Sequence, residues 1–243
     1  MSLSTTSPLS TRGPQATRQI KGSLTLLDLD GTLVDAFTTI HRAYCHTLPQ
    51  FGKPAPTLDD VRRAVGGGLR HAMSHFLPEE QIDAALPIHR AFTQKILLED
   101  LRPMPGALEL VRDLHTRDAQ LAVYTNKDSA TSRRVCAHLG LTPLLSGIYA
   151  AGDTPWLKPA AELAAHVLRE LRATPETTLL VGDSPFDVEA AHNGGFPCWA
   201  VTTGTHSAEE LRAAGATHVF DGLPDLHSAL IAEGDILCSP KSD

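Results

Sequence analysis

The chain has 243 residues, with 21 basic against 28 acidic side chains and a formal net charge of −7; it is long enough to bury a substantial core and offers no aromatic-interleaved basic stripe for nucleic acid. No apolar run reaches the roughly 18 residues of a membrane span, and the amino terminus lacks a signal-peptide hydrophobic region. Cys45, Cys136, Cys198 and Cys238 lie far apart without a Cys-x-x-Cys pair, which argues against a zinc site or a disulfide framework and suits a reducing cytoplasm.

Residues 1–22, MSLSTTSPLSTRGPQATRQIKG, are rich in Ser, Thr and Pro, carry Arg12, Arg18 and Lys21, and contain no acid. Such a composition cannot nucleate a core, and with no apolar face it reads as a disordered tail rather than a transit peptide. From Ser23 onward, short apolar runs alternate with amphipathic helices, which predicts an α/β fold with a parallel, Rossmann-like sheet covered on both faces. The first run is SLTLLDLD, ending in Asp28 and Asp30 and followed by a Gly31-Thr32 turn.

Residues 36–102 then show no convincing strand and read as an inserted all-helical domain, with the core formed by 23–35 and 103–243. Ile40, Tyr44, Leu48 and Phe51 make one stripe; Thr57 with Asp59 and Asp60 starts a second helix. Ile82, Leu86, Phe92 and Ile96 mark later helices, which Pro87 is expected to kink or split. The segment joins the core at crossings near Asp35 and Pro103–Pro105. Asp35 reads as a helix cap or hinge residue. The Gly-rich VGGGLRHAM, Val65–Met73, places Arg70, His71 or helix N–H groups over a ligand, or else is a plain turn between helices. His71 and His75 are one turn apart, a spacing that chance supplies readily among 12 histidines.

Beyond the insertion, Pro105 is expected to open a helix whose Ala107, Leu110, Val111 and Leu114 share a face. AQLAVYTN (119–126) is the second run, and Ser129 is expected to cap the helix after it, which Gly140 ends. GIYAAGD (147–153), TTLLVGD (177–183), PCWAVTTG (197–204) and THVFD follow, with a helix carrying Leu163, Val167, Leu168 and Leu171 and another opened by a Ser207/Glu210 capping box.

Ligands of an open α/β sheet bind beyond the carboxyl ends of its strands. Those ends carry Asp28 and Asp30, Thr125 and Asn126, Asp153 (a site contact or a turn residue), and Asp183 with Ser184 and Asp187; Lys158 follows the third run. Clustered carboxylates call for a hard dication, with Mg²⁺ favoured. The hydroxyl, the lysine and the N–H groups of the Asp30-Gly31-Thr32 turn suit phosphate oxygens. An Asp can act as nucleophile, and an acid two residues along an extended chain points to the same side, ready for proton transfer.

DLDGT from Asp28, Thr125 in YTNK, Lys158 in LKP and GDSPFD from Gly182 together resemble the four motifs of the haloacid dehalogenase superfamily of phosphatases, over about residues 23–222. The resemblance implies Asp28 as nucleophile and Asp30 as acid/base. Thr125 and Lys158 would bind the phosphoryl group, and Gly31 and Thr32 of the turn and Asn126 at the strand end are phosphate-binding candidates from their own positions. Mg²⁺ would be held by Asp28, the backbone carbonyl of Asp30 and Asp183, with Asp187 binding through water or behind them. The insertion resembles the family's helical cap; its Gly-rich stretch supplies Arg70 and His71 as the candidate specificity residues. Asp30 argues against the carbon–halogen and phosphonoacetaldehyde-cleaving branches, and TNK is closer to phosphoglycolate phosphatases than to β-phosphoglucomutases. In KPAAE the second Pro frequent in relatives is absent. The expectation is a cytoplasmic monomeric or homodimeric phosphatase of a small phosphorylated metabolite, phosphoglycolate first. The alternatives are a phosphosugar mutase and a phospho-aspartate regulatory module without turnover.

Overall fold

A computed structural model describes residues 22–235; the expected tail therefore lies, apart from Gly22, outside the described residues. Six strands, β1 (Leu24–Leu27), β4 (Gln120–Asp128), β5 (Gly147–Ala151), β6 (Thr178–Gly182), β7 (Cys198–Val201) and β8 (His218–Phe220), form one parallel sheet in the order β5-β4-β1-β6-β7-β8. Both faces are buried, as the near-continuous apolar runs require. Leu27, Val123, Val181 and Val201 contribute to one apolar layer, which also holds Leu110 and Val111 of α5 (Ala107–Thr116). Leu24, Leu26, Tyr124 and Leu180 face the other, packed on Leu163 and Val167 of α7 (Ala161–Glu170) and Val188 of α8 (Pro185–Gly194). The chain leaves β1 toward β4 on one side and reaches β6 on the other. The carboxyl end of β1 is thus the switch point where such sheets open a crevice.

Between β1 and β4 lie α1 (Phe37–Thr47), α2 (Leu58–Ala64), α3 (Leu69–Ser74) and α4 (Glu79–Ile96). Tyr44, Leu48, Val61, Met73, Ile82 and Leu86 form their own apolar cluster, while Ile40 and Val65 pack against both this cluster and the sheet-side layer. Thr57 opens α2 as expected, and with Asp60 it closes a capping box there. A two-stranded antiparallel ribbon of β2 (Val34–Asp35) and β3 (Arg102–Pro103) ties the two crossings together. Two-residue strands carry too few side chains for a period-2 pattern, so the sequence shows only the crossings. Asp35 accepts a hydrogen bond from the Phe37 amide at 3.2 Å and steadies the start of α1.

Three local expectations are corrected. Pro87 does not split the segment into two helices: α4 runs unbroken through it, with Pro87 exposed, and tertiary packing of Ile82, Ala85, Leu86 and Ile96 overrides the local cost. The helix after β4, α6 (Ser129–His138), is capped by Asp128, whose side chain accepts from the Thr131 amide, and Ser129 is its first helical residue. Pro105 stands before α5 rather than in it, because Gly106 takes a left-handed φ of 79° as the N-cap. The predicted Ser207/Glu210 box holds, opening α9 (Ala208–Ala214). A last helix, α10 (Leu223–Asp235), ends the described chain.

Candidate active site

Asp28 follows β1 directly, its amide donating to Val181 O at 2.9 Å so that parallel pairing with β6 continues one residue past the strand. Asp28 and Asp30 border one cavity, with the fully buried Leu29 between them. The turn after them uses its own amides: Gly31, at φ 89°, donates to Val34 O at 2.8 Å and Thr32 to Leu29 O at 3.3 Å. These two N–H groups, expected to meet phosphate, are spent on the turn. Thr32 instead donates its hydroxyl to Asp183 Oδ1 at 2.9 Å, and a Cβ at Gly31 would stand 2.5 Å from Asp183 Oδ2. Gly31 and Thr32 hold an acid in place.

Lys158 is buried with Nζ 2.9 Å from Asp28 Oδ1 and 2.6 Å from Asp187 Oδ1. Burial alone would lower its pKa, but Asp187 and Asp28 together raise it, so the ammonium is held charged. Asp187 is anchored at the start of α8, where Oδ2 accepts from the Ser184 hydroxyl at 2.6 Å and from the Ser184 and Asp183 amides at 3.0 and 3.2 Å. With one oxygen on Lys158 and the other on three donors, Asp187 serves to position the lysine and the β6–α8 loop. Burial, then Asp187, pushes the Asp28 carboxyl up to about 6 against the pull of Lys158. Burial, then Asp187 and Asp28, holds Asp183 well above the carboxylate range.

The loop after β7 completes the surroundings of Asp183. Thr205 donates its amide to Asp183 Oδ2 at 3.2 Å, Thr203 donates its hydroxyl to Gly31 O at 2.7 Å, and a Cβ at Gly204 would lie 1.7 Å from Asp183 Oδ2. Sequence reasoning assigned this TTGT no role, although its place after a strand on the same rim was the available signal.

At the end of β4 the register to β5 shifts between Tyr124 and Asp128, and the irregular stretch carries Thr125, Asn126 and Lys127. Thr125 is buried and lines the cavity. The Asn126 side chain, expected at phosphate, is a brace: Nδ2 donates to Gly66 O at 3.0 Å and Lys158 O at 2.9 Å, and Oδ1 accepts from the Lys158 amide at 2.8 Å. Lys127, given no role above, grips both oxygens of Asp30 at 2.9 and 2.8 Å, with the side chains only 9% and 11% exposed. Its spacing of two from Thr125 on an extended chain was the signal.

The cavity, of about 110 Å³, runs from Asp28, Asp30 and Thr125 to Tyr44 on α1, Gly66 and Gly68 before α3, and His89 on α4. Arg70 and His71 do not line it. Arg70 is paired on the exposed surface with Glu79 and Asp83, and His71 packs edge-on to Phe186 at 5.4 Å, joining α3 to α8. His75 lies against His71 at 3.4 Å between Nε2 atoms, with no further ligand around them among the described residues. Asp153 is a turn residue: it accepts from Ser129, Arg133 and the Ala150 amide.

Asp28, Asp183 and Asp187 bring ligand oxygens within 4.8 Å of one another, all buried. Three carboxylates against the single ammonium of Lys158 leave excess negative charge in a low-dielectric site, and Asp28 Oδ1 has no satisfactory hydrogen bond despite the nearby lysine. An oxygen-only, anionic donor set of this kind fits a hard divalent cation.

Residues 25–201 match the haloacid dehalogenase-like hydrolases as a family. A protein of Pseudomonas aeruginosa named phosphoglycolate phosphatase 1 is 29% identical over 213 residues, 84% of this chain and 78% of that one. The tyrosine-protein kinase PtkA of Mycobacterium tuberculosis is also 29% identical, over 86% of this chain and 70% of its own. Among solved structures, a predicted phosphoglycolate phosphatase from Haemophilus somnus superposes with a TM-score of 0.79 at 22% identity, covering 86% of this chain and 97% of that chain; it shares the fold.

Proposed function

The chain belongs to the haloacid dehalogenase-like hydrolases, and from that premise we propose that it is a Mg²⁺-dependent phosphatase of a small phosphorylated metabolite, working through an aspartyl-phosphate on Asp28. The names of relatives make phosphoglycolate the first candidate substrate. The observation that carries the reading is Lys158, buried between Asp28 and Asp187 with Asp183 in the same acidic cluster, so that nucleophile, cation and ligand set share one rim.

In this scheme an Asp28 carboxylate oxygen attacks phosphorus in line with the leaving alkoxide, breaking the ester P–O bond. Lys158 and the Thr125 hydroxyl hold the transferred group's oxygens and meet the charge that builds on them. Asp30, steadied by Lys127, gives its proton to the departing oxygen. It then takes one from a water that attacks the phosphoryl group, restoring Asp28 and releasing phosphate. Mg²⁺, held by Asp28, the Asp30 carbonyl and Asp183, would supply positive charge to the phosphate and quiet the repulsion among the acids. Residues 36–102 act as a cap over a core of 23–35 and 103–243, excluding bulk water and lining the substrate's distal end. The protein works in the cytoplasm as a monomer or homodimer.

Phosphate release from p-nitrophenyl phosphate and from a metabolite panel with Mg²⁺ tests the reading. Replacing Asp28 with Asn is expected to cost roughly 10³-fold or more in kcat, the scale at which a covalent nucleophile matters. Wild-type turnover in that variant rules out the covalent scheme. A stable phosphoprotein, or transfer to a protein tyrosine or a sugar with little free phosphate, rules out hydrolysis.

A further inference from the structure

Two buried polar atoms beside the cavity have no partner among the described residues: the Tyr44 hydroxyl and His89 Nε2. Tyr44 is 1% and His89 5% exposed, both line the cavity, and their rings meet edge to face with centroids 4.7 Å apart. Nothing in the phosphoryl-transfer scheme uses either. A buried polar group without a partner is destabilising, so an unsatisfied pair here calls for an explanation in terms of what the cavity receives.

The chemistry of the pair limits what that is. Thr93 donates its hydroxyl hydrogen to His89 O at 2.8 Å, so its 3.4 Å contact with Nδ1 is favourable only if Nδ1 carries the ring proton. Nε2 is then an acceptor. Burial first, then the charges of Lys127 and Arg90, opposes a second proton on the ring. A carboxylate brings no hydrogen to such an atom, whereas a hydroxyl brings one and can accept from the Tyr44 phenol at once.

We propose that Tyr44 and His89 form a subsite for a hydroxyl group on the distal part of the substrate, so that a hydroxyl-bearing phosphate ester is preferred over its deoxy or carboxylate counterpart. The proposal rests on the phosphatase reading for the site but not on turnover for its test. Neither orphan atom is open to water in this structure, so pairing takes a small shift of the two rings toward the cavity. Phosphoglycolate, first candidate on the names of relatives alone, lacks the donor, and this subsite gives it a higher KM than 2-hydroxyethyl phosphate.

Calorimetric titration of the wild-type protein with Mg²⁺ and the non-hydrolysable 3-hydroxypropylphosphonate and propylphosphonate measures the preference directly. One neutral hydrogen bond or two corresponds to about three- to tenfold or more in affinity for the hydroxylated compound. Tyr44→Phe and His89→Phe are expected to bring the two affinities within about twofold. Their melting temperatures should hold or rise, since each removes an orphaned polar atom, and a merely structural role would lower them. Equal affinities in the wild type, or an undiminished preference in both variants, overturn the subsite. A preference for the hydroxylated phosphonate without phosphate release from any ester would retain the subsite and remove the hydrolase reading; turnover of esters without the preference does the reverse.

Discussion

His89 shows what one buried side chain does to the stability curve. Burial, then Lys127 and Arg90, pushes its pKa down to about 4 from an ordinary 6.5. Because the folded-state value is depressed, the unfolded chain takes up the proton first as pH falls, and stability contributed by the neutral ring is lost between pH 6.5 and 4. The loss is on the order of 2 to 3 kcal/mol by pH 4.5. Denaturant unfolding of wild type and His89→Phe at pH 7 and pH 4.5 should show the variant losing less by that amount; parallel losses would remove the ring from the acid limb. At this scale the sequence was uneven. Asp28, Asp30, Lys158, Asp183 and Thr125 were legible because chemistry constrains their type and strand-end position. His89 occupies an apolar helical stripe three residues after Leu86, and Gly204 matters only through its closeness to Asp183, which no one-dimensional pattern reveals. Asn126, Gly31 and Thr32 lie at the expected place, and the sequence did not show the bracing contacts they make there, since a donor near phosphate and a donor bracing a loop look alike until their partners are known.

Among elements, α4 stores a removable cost. Pro87 sits in its interior with no amide to give Asp83 O, and its ring faces solvent, so replacing it disturbs no packing. A proline in a helix interior costs about 3 kcal/mol relative to Ala. Pro87→Ala is expected to stabilise the protein by about 1 to 3 kcal/mol, raising Tm by roughly 2 to 4 °C per kcal/mol for a chain of this size. A drop in Tm would mean that the backbone fixed by proline is needed to seat His89 and Thr93. The main strands were legible as short apolar runs buried on both faces, and most helices by the periodic face each buries. The errors fell at ends, where Asp128 outcompetes Ser129 as a cap and Gly106 can adopt the left-handed backbone that places the start of α5 after Pro105. The β2–β3 ribbon escaped because its pairing depends on where two distant crossings meet.

For the molecule as a whole, the rim is a point of internal tension. Three buried carboxylates face one ammonium, and burial first, then the neighbouring acids, raises the pKa of Asp28 and Asp183. Adding Mg²⁺ at about 100 times its Kd should stabilise the fold by about 2.7 kcal/mol, a rise of roughly 5 to 10 °C. Asp183→Asn should abolish most of that rise, read by thermal melts with and without EDTA; an equal rise in the variant would place the ion elsewhere. Within the described residues no helix is long and apolar enough to cross a membrane.

The paired crossings have a consequence for how such a protein can change over generations. Val34 lies opposite Pro103 and Asp35 opposite Arg102, so the sheet experiences everything between them as a single excursion whose two ends are already pinned side by side. Lengthening a flexible excursion is entropically cheap, about 0.6 kcal/mol per doubling. Phe37, Leu97 and Leu101, which pack with the sheet-side layer, mark how far from the junction a new roof has to begin. A lineage can therefore exchange the intervening helices while the sheet and the acidic residues at its carboxyl rim stay where they are.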